Sequence, residues 1–106
     1  MPVIYGLKAC DTCKKAQKAL GFELIDVRAN PLERAQLEQF FAAFGDALVN
    51  RASTTWRGLD EAARASDPLD LIAAHPAVMK RPVIEVDGTL YLGWRKDVQA
   101  ALLPDG

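Results

Sequence analysis

A ten-residue segment of mostly good helix formers, set between two short apolar runs, constrains this fold more than anything else in the sequence. Val3-Ile4-Tyr5 is β-rich and stops at Gly6, the pattern of a strand buried on both faces. After a loop, Leu7-Lys8-Ala9, the segment from Asp11 to Leu20 places Ala16 and Leu20 one turn apart and leaves Lys14, Lys15 and Lys18 for solvent. Gly21 is the natural stop. Phe22 to Val27 partly alternates and reads as a second strand. A helical crossover of this length joins parallel strands, so a βαβ unit is expected.

Further along, Asn30-Pro31 predicts an N-cap with proline at the first helical position, and Leu37, Phe40, Phe41 and Phe44 keep helical spacing up to Gly45. Residues 46 to 75 carry no strand pattern. Asp60 and Asp67 read as caps of short helices, the second holding Leu69, Leu71 and Ile72 and ending at His75-Pro76. After Arg81-Pro82, the runs Val83-Ile84-Glu85-Val86 and Leu90-Tyr91-Leu92 flank Asp87-Gly88, a strong hairpin signal. A last helix is predicted from about Lys96 to Leu103. The chain is therefore expected to be one α/β domain over 1–106, a mixed four-stranded sheet in the thioredoxin-like order (βαβ, then β-hairpin-α), with a helical insertion at about 31–76.

Composition limits what such a domain does. Its 106 residues suffice for one core, and 50% apolar with 25% charged residues is ordinary globular usage. Thirteen basic against fourteen acidic side chains give a net charge of −1, so no global field would hold it on nucleic acid or an anionic membrane. The start lacks the apolar core of a signal peptide, and no run approaches the about 20 apolar residues that cross a bilayer. A cytoplasmic location is the expectation.

Two cysteines three positions apart cannot staple a domain of this size, and in a reducing compartment they read as redox or metal chemistry. Half of a tetrahedral zinc site is present but the other half is not: His75 is the one histidine and there is no further cysteine. No metal or bound cofactor is expected. Two buried, inert cysteines are the bland alternative. Against it stands position. Cys10 follows a strand and loop and precedes a helix, so unpaired N–H groups and the positive helix end face its sulfur, with Lys8 adding charge. Cys13, one helical turn on, is placed to attack a mixed disulfide formed at Cys10. The expectation is Cys10 as attacking thiol and Cys13 as resolving thiol.

Arginines at 51, 57, 81 and 95 read locally as loop charges, yet a guanidinium fork suits an oxyanion or carboxylate, and convergence on Cys10 would make an anion pocket. Arg81-Pro82 precedes a predicted strand, where a cis X-Pro bond would fix the backbone beside the sulfur. Trp56 and Trp94 read as packing residues and His75 as structural.

Taken together, Tyr5-Gly6-Leu7-Lys8-Ala9-Cys10-Asp11-Thr12, Asn50-Arg51-Ala52-Ser53-Thr54-Thr55-Trp56-Arg57, and His75-Pro76 followed by Arg81-Pro82 resemble the arsenate-reductase (ArsC)-like family, nearest its compact YffB branch and touching the Spx regulators. The resemblance implies a thioredoxin-like fold, Cys10 as nucleophile and Arg81 as oxyanion binder, with Arg51 and Arg95 standing one step from the family's other two arginine positions. A histidine of true arsenate reductases is replaced at Gly6. The implied activity is a thiol-dependent reductase acting on a small anionic or thiol substrate, with glutathione, glutaredoxin or thioredoxin as electron donor, or an arsenate reductase. The Cys10–Cys13 pair also resembles the switch of Spx regulators, which implies the RNA polymerase α subunit as partner in the alternative.

Overall fold

The computed structural model describes residues 2–103. Four strands, β1 (Val3–Gly6), β2 (Glu23–Asp26), β3 (Val83–Val86) and β4 (Thr89–Leu92), form one sheet in the order β2-β1-β3-β4. The helices are α1 (Asp11–Leu20), α2 (Arg34–Phe44), α3 (Thr54–Arg57), α4 (Glu61–Arg64), α5 (Pro68–Ala74) and α6 (Lys96–Leu102), with 3₁₀ turns at Gly45–Leu48 and Pro76–Val78. This is the expected α/β class and mixed sheet. Among the described residues no helix is long and apolar enough to cross a membrane.

The chain divides into two compact units, one comprising the residues up to Val27 and from Arg81 onward, the other Arg28–Lys80. In the first, β1 runs parallel to β2, pairing Ile4 with Leu24 and Gly6 with Asp26, and antiparallel to β3, pairing Ile4 with Ile84. Side chains alternate along a strand, so Ile4 and Ile84 fall on one face, where Ala16 of α1 and Val98 of α6 complete a buried cluster. Phe22, Leu24, Tyr91, Trp94 and Leu102 pack around it. The β3–β4 turn takes Asp87 at φ 51° and Gly88 at φ 83°, the two positive angles a tight hairpin needs.

In the second unit, α2 and α5 pack together and bury Leu37, Phe40, Leu71 and Ile72. Asp60 and Asp67 cap α4 and α5 as expected, accepting from Ala63 N at 2.8 Å and Leu69 N at 2.9 Å. The start of α2 departs from the expectation. Asn30-Pro31 does not open it; Glu33 is the N-cap, and Gln36 Oε1 accepts the Glu33 N–H at 3.0 Å in a capping box. A reciprocal pair satisfies two orphan N–H groups where Asn30 would satisfy one. Val49, inside the 46–75 stretch that shows no strand pattern, also forms an isolated antiparallel bridge with Met79.

Ile84 is fully buried at the centre of the first unit's cluster. Ile84→Ala should lower the unfolding free energy by about 2–5 kcal/mol in urea titration, with an unchanged slope. A loss below ~0.5 kcal/mol would show that the cluster is not what holds the sheet to its helices.

Candidate active site

The backbone delivers Cys10 to the end of α1 in three short steps. β1 ends at Gly6; the Cys10 N–H bonds back to Leu7 O at 3.0 Å; and the Lys8 N–H donates to Asp26 Oδ2 at 2.9 Å, tying the loop to the end of β2. Cys10 then takes extended angles, φ −85° and ψ 116°, and becomes the N-cap of α1. Its carbonyl accepts from Lys14 N at 3.0 Å while its sulfur accepts the Cys13 N–H at 3.4 Å. A thiolate here answers one of the unpaired N–H groups of the first turn and faces the positive end of the helix.

Cys13 lies on that first turn and is fully buried, whereas Cys10 is half-buried, and both are free thiols. The Cys13 sulfur sits against the backbone of β1: a Cβ added at Gly6 would overlap Cys13 Sγ and come within 3.1 Å of Cys13 Cβ.

Arg81 reaches the Cys10 sulfur from the other end of the sequence, from just ahead of β3. The Arg81–Pro82 peptide is cis, Pro82 is buried, and Pro82 O accepts from Gly93 N at 2.8 Å. The guanidinium bonds the Cys10 sulfur and lends it positive charge, and Arg81 Nε is itself buried.

These neighbours split the two thiols apart. At Cys10, burial raises the pKa, but hydrogen bonds from the Cys13 thiol and backbone, together with the charge and hydrogen bond of Arg81, outweigh it and leave the thiol below its ordinary value. At Cys13, burial and the neighbouring Cys10, as hydrogen-bond acceptor and as charge, push the pKa up to about 12. The Leu7 N–H and Arg81 only partly offset this. Of the two thiols Cys10 is therefore the one that loses its proton first, and Cys13 the one that keeps it.

Of the residues singled out in the sequence, the fold brings Cys10, Cys13, Arg81 and Pro82 together. Lys8 and Arg95 are exposed, one on the loop before Cys10 and the other as N-cap of α6, and neither is among the groups acting on the Cys10 sulfur. Arg51 belongs to the other unit, where it lies 5.3 Å from the Trp56 ring centroid and 4.0 Å from Asp46 Oδ1. Arg64 lies 5.6 Å from the same ring and donates to Trp56 O and Arg57 O at 3.2 and 2.9 Å. Sequence reasoning misses Asp26, Arg64 and the role of Gly6. Only Gly6 leaves a trace, as a glycine inside an apolar run, which marks a bulge or a close approach.

A model of the ArsC family matches residues 5–102. An uncharacterized protein of Haemophilus influenzae is 42% identical over 112 residues, spanning 95% of this chain and 98% of that one. A solved structure named YFFB protein superposes with a TM-score of 0.87 at 38% identity, covering 97% of this chain and 99% of its own. An arsenate reductase (ArsC) related protein from Brucella melitensis gives a TM-score of 0.72 at 35% identity, covering 93% and 92%. The global transcriptional regulator Spx 2 of Lactococcus lactis is 28% identical over 115 residues, 98% of this chain and 87% of the regulator.

The thiol geometry predicts the alkylation profile. Iodoacetamide labelling should show a single step from Cys10, below that of an ordinary thiol, with Cys13 unlabelled at neutral pH. Arg81→Gln should move that step upward, since it removes the guanidinium charge from the sulfur. A step already at the ordinary value, or one indifferent to Arg81, would contradict the electrostatics described.

Proposed function

This chain belongs to the ArsC family, and from that premise we propose that it is a thiol-dependent oxidoreductase in which Cys10 is the nucleophile. One observation carries the reading: the half-buried Cys10 sulfur caps α1 while Arg81 and the Cys13 thiol hydrogen-bond it, which favours the thiolate the chemistry requires. The reaction proposed begins with attack of the Cys10 thiolate on the sulfur of a mixed disulfide of glutathione. A Cys10–substrate disulfide forms as the original S–S bond breaks, and the leaving thiolate takes the electron pair. Cys13 then attacks Cys10 and releases the substrate as a thiol, so that two electrons have passed from the dithiol to the substrate. Glutathione, directly or through glutaredoxin, or thioredoxin restores the two thiols. No bound cofactor enters this scheme, and its place is a reducing compartment, the cytoplasm.

Arg81 is assigned the anionic part of the substrate, a carboxylate or an oxyanion, which its fork of donors suits. Lys8 and Arg95 remain proposed secondary contacts. Disulfide substrates rank ahead of arsenate, because Arg81 is the arginine named among the main groups acting on the Cys10 sulfur, without a second arginine beside it in that set. The 28% identity to Spx 2 favours a second reading, a redox-switched partner of the RNA polymerase α subunit that uses the same thiols.

Turnover of a glutathione mixed disulfide should vanish in Cys10→Ser and fall roughly 10- to 100-fold in kcat/KM in Arg81→Ala, the loss expected for one hydrogen bond to a charged group. Cys13→Ser should accumulate a Cys10 mixed disulfide visible by intact mass. Wild-type protein inert with both glutathione and thioredoxin as donor would end the enzyme reading. Capture of RNA polymerase by one redox form alone would then favour the regulator.

A further inference from the structure

We propose that Gly6 is a positioning residue for the thiol pair: the missing side chain at this one point of β1 is the seat of Cys13 Sγ, and that seat holds the Cys13 thiol where it hydrogen-bonds Cys10. The glycine is explained by space and not by backbone angle. Gly21, Gly45, Gly88 and Gly93 have positive φ, and Gly6 is not among them. It is an ordinary strand residue, opposite Asp26 in the parallel register, and its carbonyl accepts the Val27 N–H at 2.9 Å. Any L residue could adopt that conformation, yet a Cβ there would overlap Cys13 Sγ and stand 3.5 Å from Leu24 Cδ1. The atom most displaced would be the buried sulfur, which the Cβ overlaps, while Cys13 Cβ, at 3.1 Å, would have to give by only a few tenths of an ångström.

The consequence runs from strand to chemistry. With Sγ lodged against the strand, the thiol is fully buried, receives the Leu7 N–H and has Cys10 as its hydrogen-bond partner. A side chain at position 6 forces Cys13 into another rotamer and withdraws a hydrogen bond from the Cys10 thiolate. Gly6 thus acts on the reactive sulfur through Cys13, without touching substrate. The inference concerns the resting thiols and stands apart from which substrate the pair reduces.

The test is a double-mutant cycle read by the pH profile of Cys10 alkylation with iodoacetamide. Gly6→Ala and Cys13→Ala should each raise the midpoint by about one pH unit, roughly tenfold less thiolate in the neutral range. The double variant should match Cys13→Ala, because the alanine that replaces Cys13 has no sulfur for the new methyl group to displace. If Gly6→Ala leaves the midpoint where it was, or shifts it further in the Cys13→Ala background, the proposal is wrong. If Gly6→Ala alone does not fold, far-UV circular dichroism of the double variant decides: recovered folding supports the seat, and continued unfolding overturns it. Because no substrate is involved, an inactive wild type would sink the proposed function and leave this result standing.

Discussion

The candidate site at the start of α1 is built on a 3.4 Å hydrogen bond from the Cys13 N–H to the Cys10 sulfur. Serine, threonine, aspartate and asparagine are the usual N-caps because their oxygens accept well from the first helical turn. A neutral thiol is a poor acceptor. A thiolate is a good one, and the positive end of α1 favours it further. The cap position therefore couples local folding to ionisation: the same N–H that needs a partner to start α1 stabilises the charge that makes Cys10 nucleophilic. Asp60 and Asp67 fill the same position in α4 and α5 with oxygen. The difference lies in the atom, not in the geometry.

Much of this is legible from local chemistry. The span of α1, the β3–β4 turn at Asp87-Gly88 and the caps at Asp60 and Asp67 follow from signals carried within a few residues, where propensity, capping and turn geometry agree. The start of α2 invites misreading because two local signals compete there. Asn30-Pro31 is a strong start signal taken alone, but the Glu33–Gln36 pair nearer the apolar face satisfies more of the orphan N–H groups. Non-local features are opaque. That Arg81 meets Cys10, more than seventy positions earlier in the chain, follows from the antiparallel pairing of β1 with β3, which no local pattern reveals. The family resemblance nominates Arg81; residue chemistry alone leaves it level with Arg51, Arg57 and Arg95.

The arginines show how context separates groups that sequence makes equal. Arg51 and Arg64 both lie near the Trp56 ring, at 5.3 and 5.6 Å, a use of the guanidinium that needs an aromatic face and little burial. Arg64 adds two hydrogen bonds to backbone carbonyls, so its charge helps shape the end of α3. Arg34 bonds Asp70 at 2.7 Å, with Asp67 at 3.6 Å, and links α2 to α5 on a solvated surface where such pairs are worth little individually. Arg81 differs from all of these in being partly buried beside a sulfur. There the screening by water is weaker and a single positive charge weighs more.

The two thiols are unequal in the resting state, and that inequality is what a two-step exchange needs. With Cys13 at about 12, roughly one molecule in 10⁵ carries a Cys13 thiolate at neutral pH, so the proposed first attack falls to Cys10. Two of the causes that hold Cys13 protonated, its hydrogen bond to Cys10 and the Cys10 charge, exist only while Cys10 is a thiolate. Under the proposed chemistry, bonding of Cys10 to substrate removes both at once. Burial still opposes ionisation of Cys13, but Arg81 and the Leu7 N–H, which favour its thiolate, stay in place. The first attack thereby lowers the barrier to the second without any titrating base. His75 lies in the other unit and is not called on. In the proposed exchange the order of events follows from which sulfur holds the proton at rest, and bonding of Cys10 to substrate is what frees Cys13 to lose it.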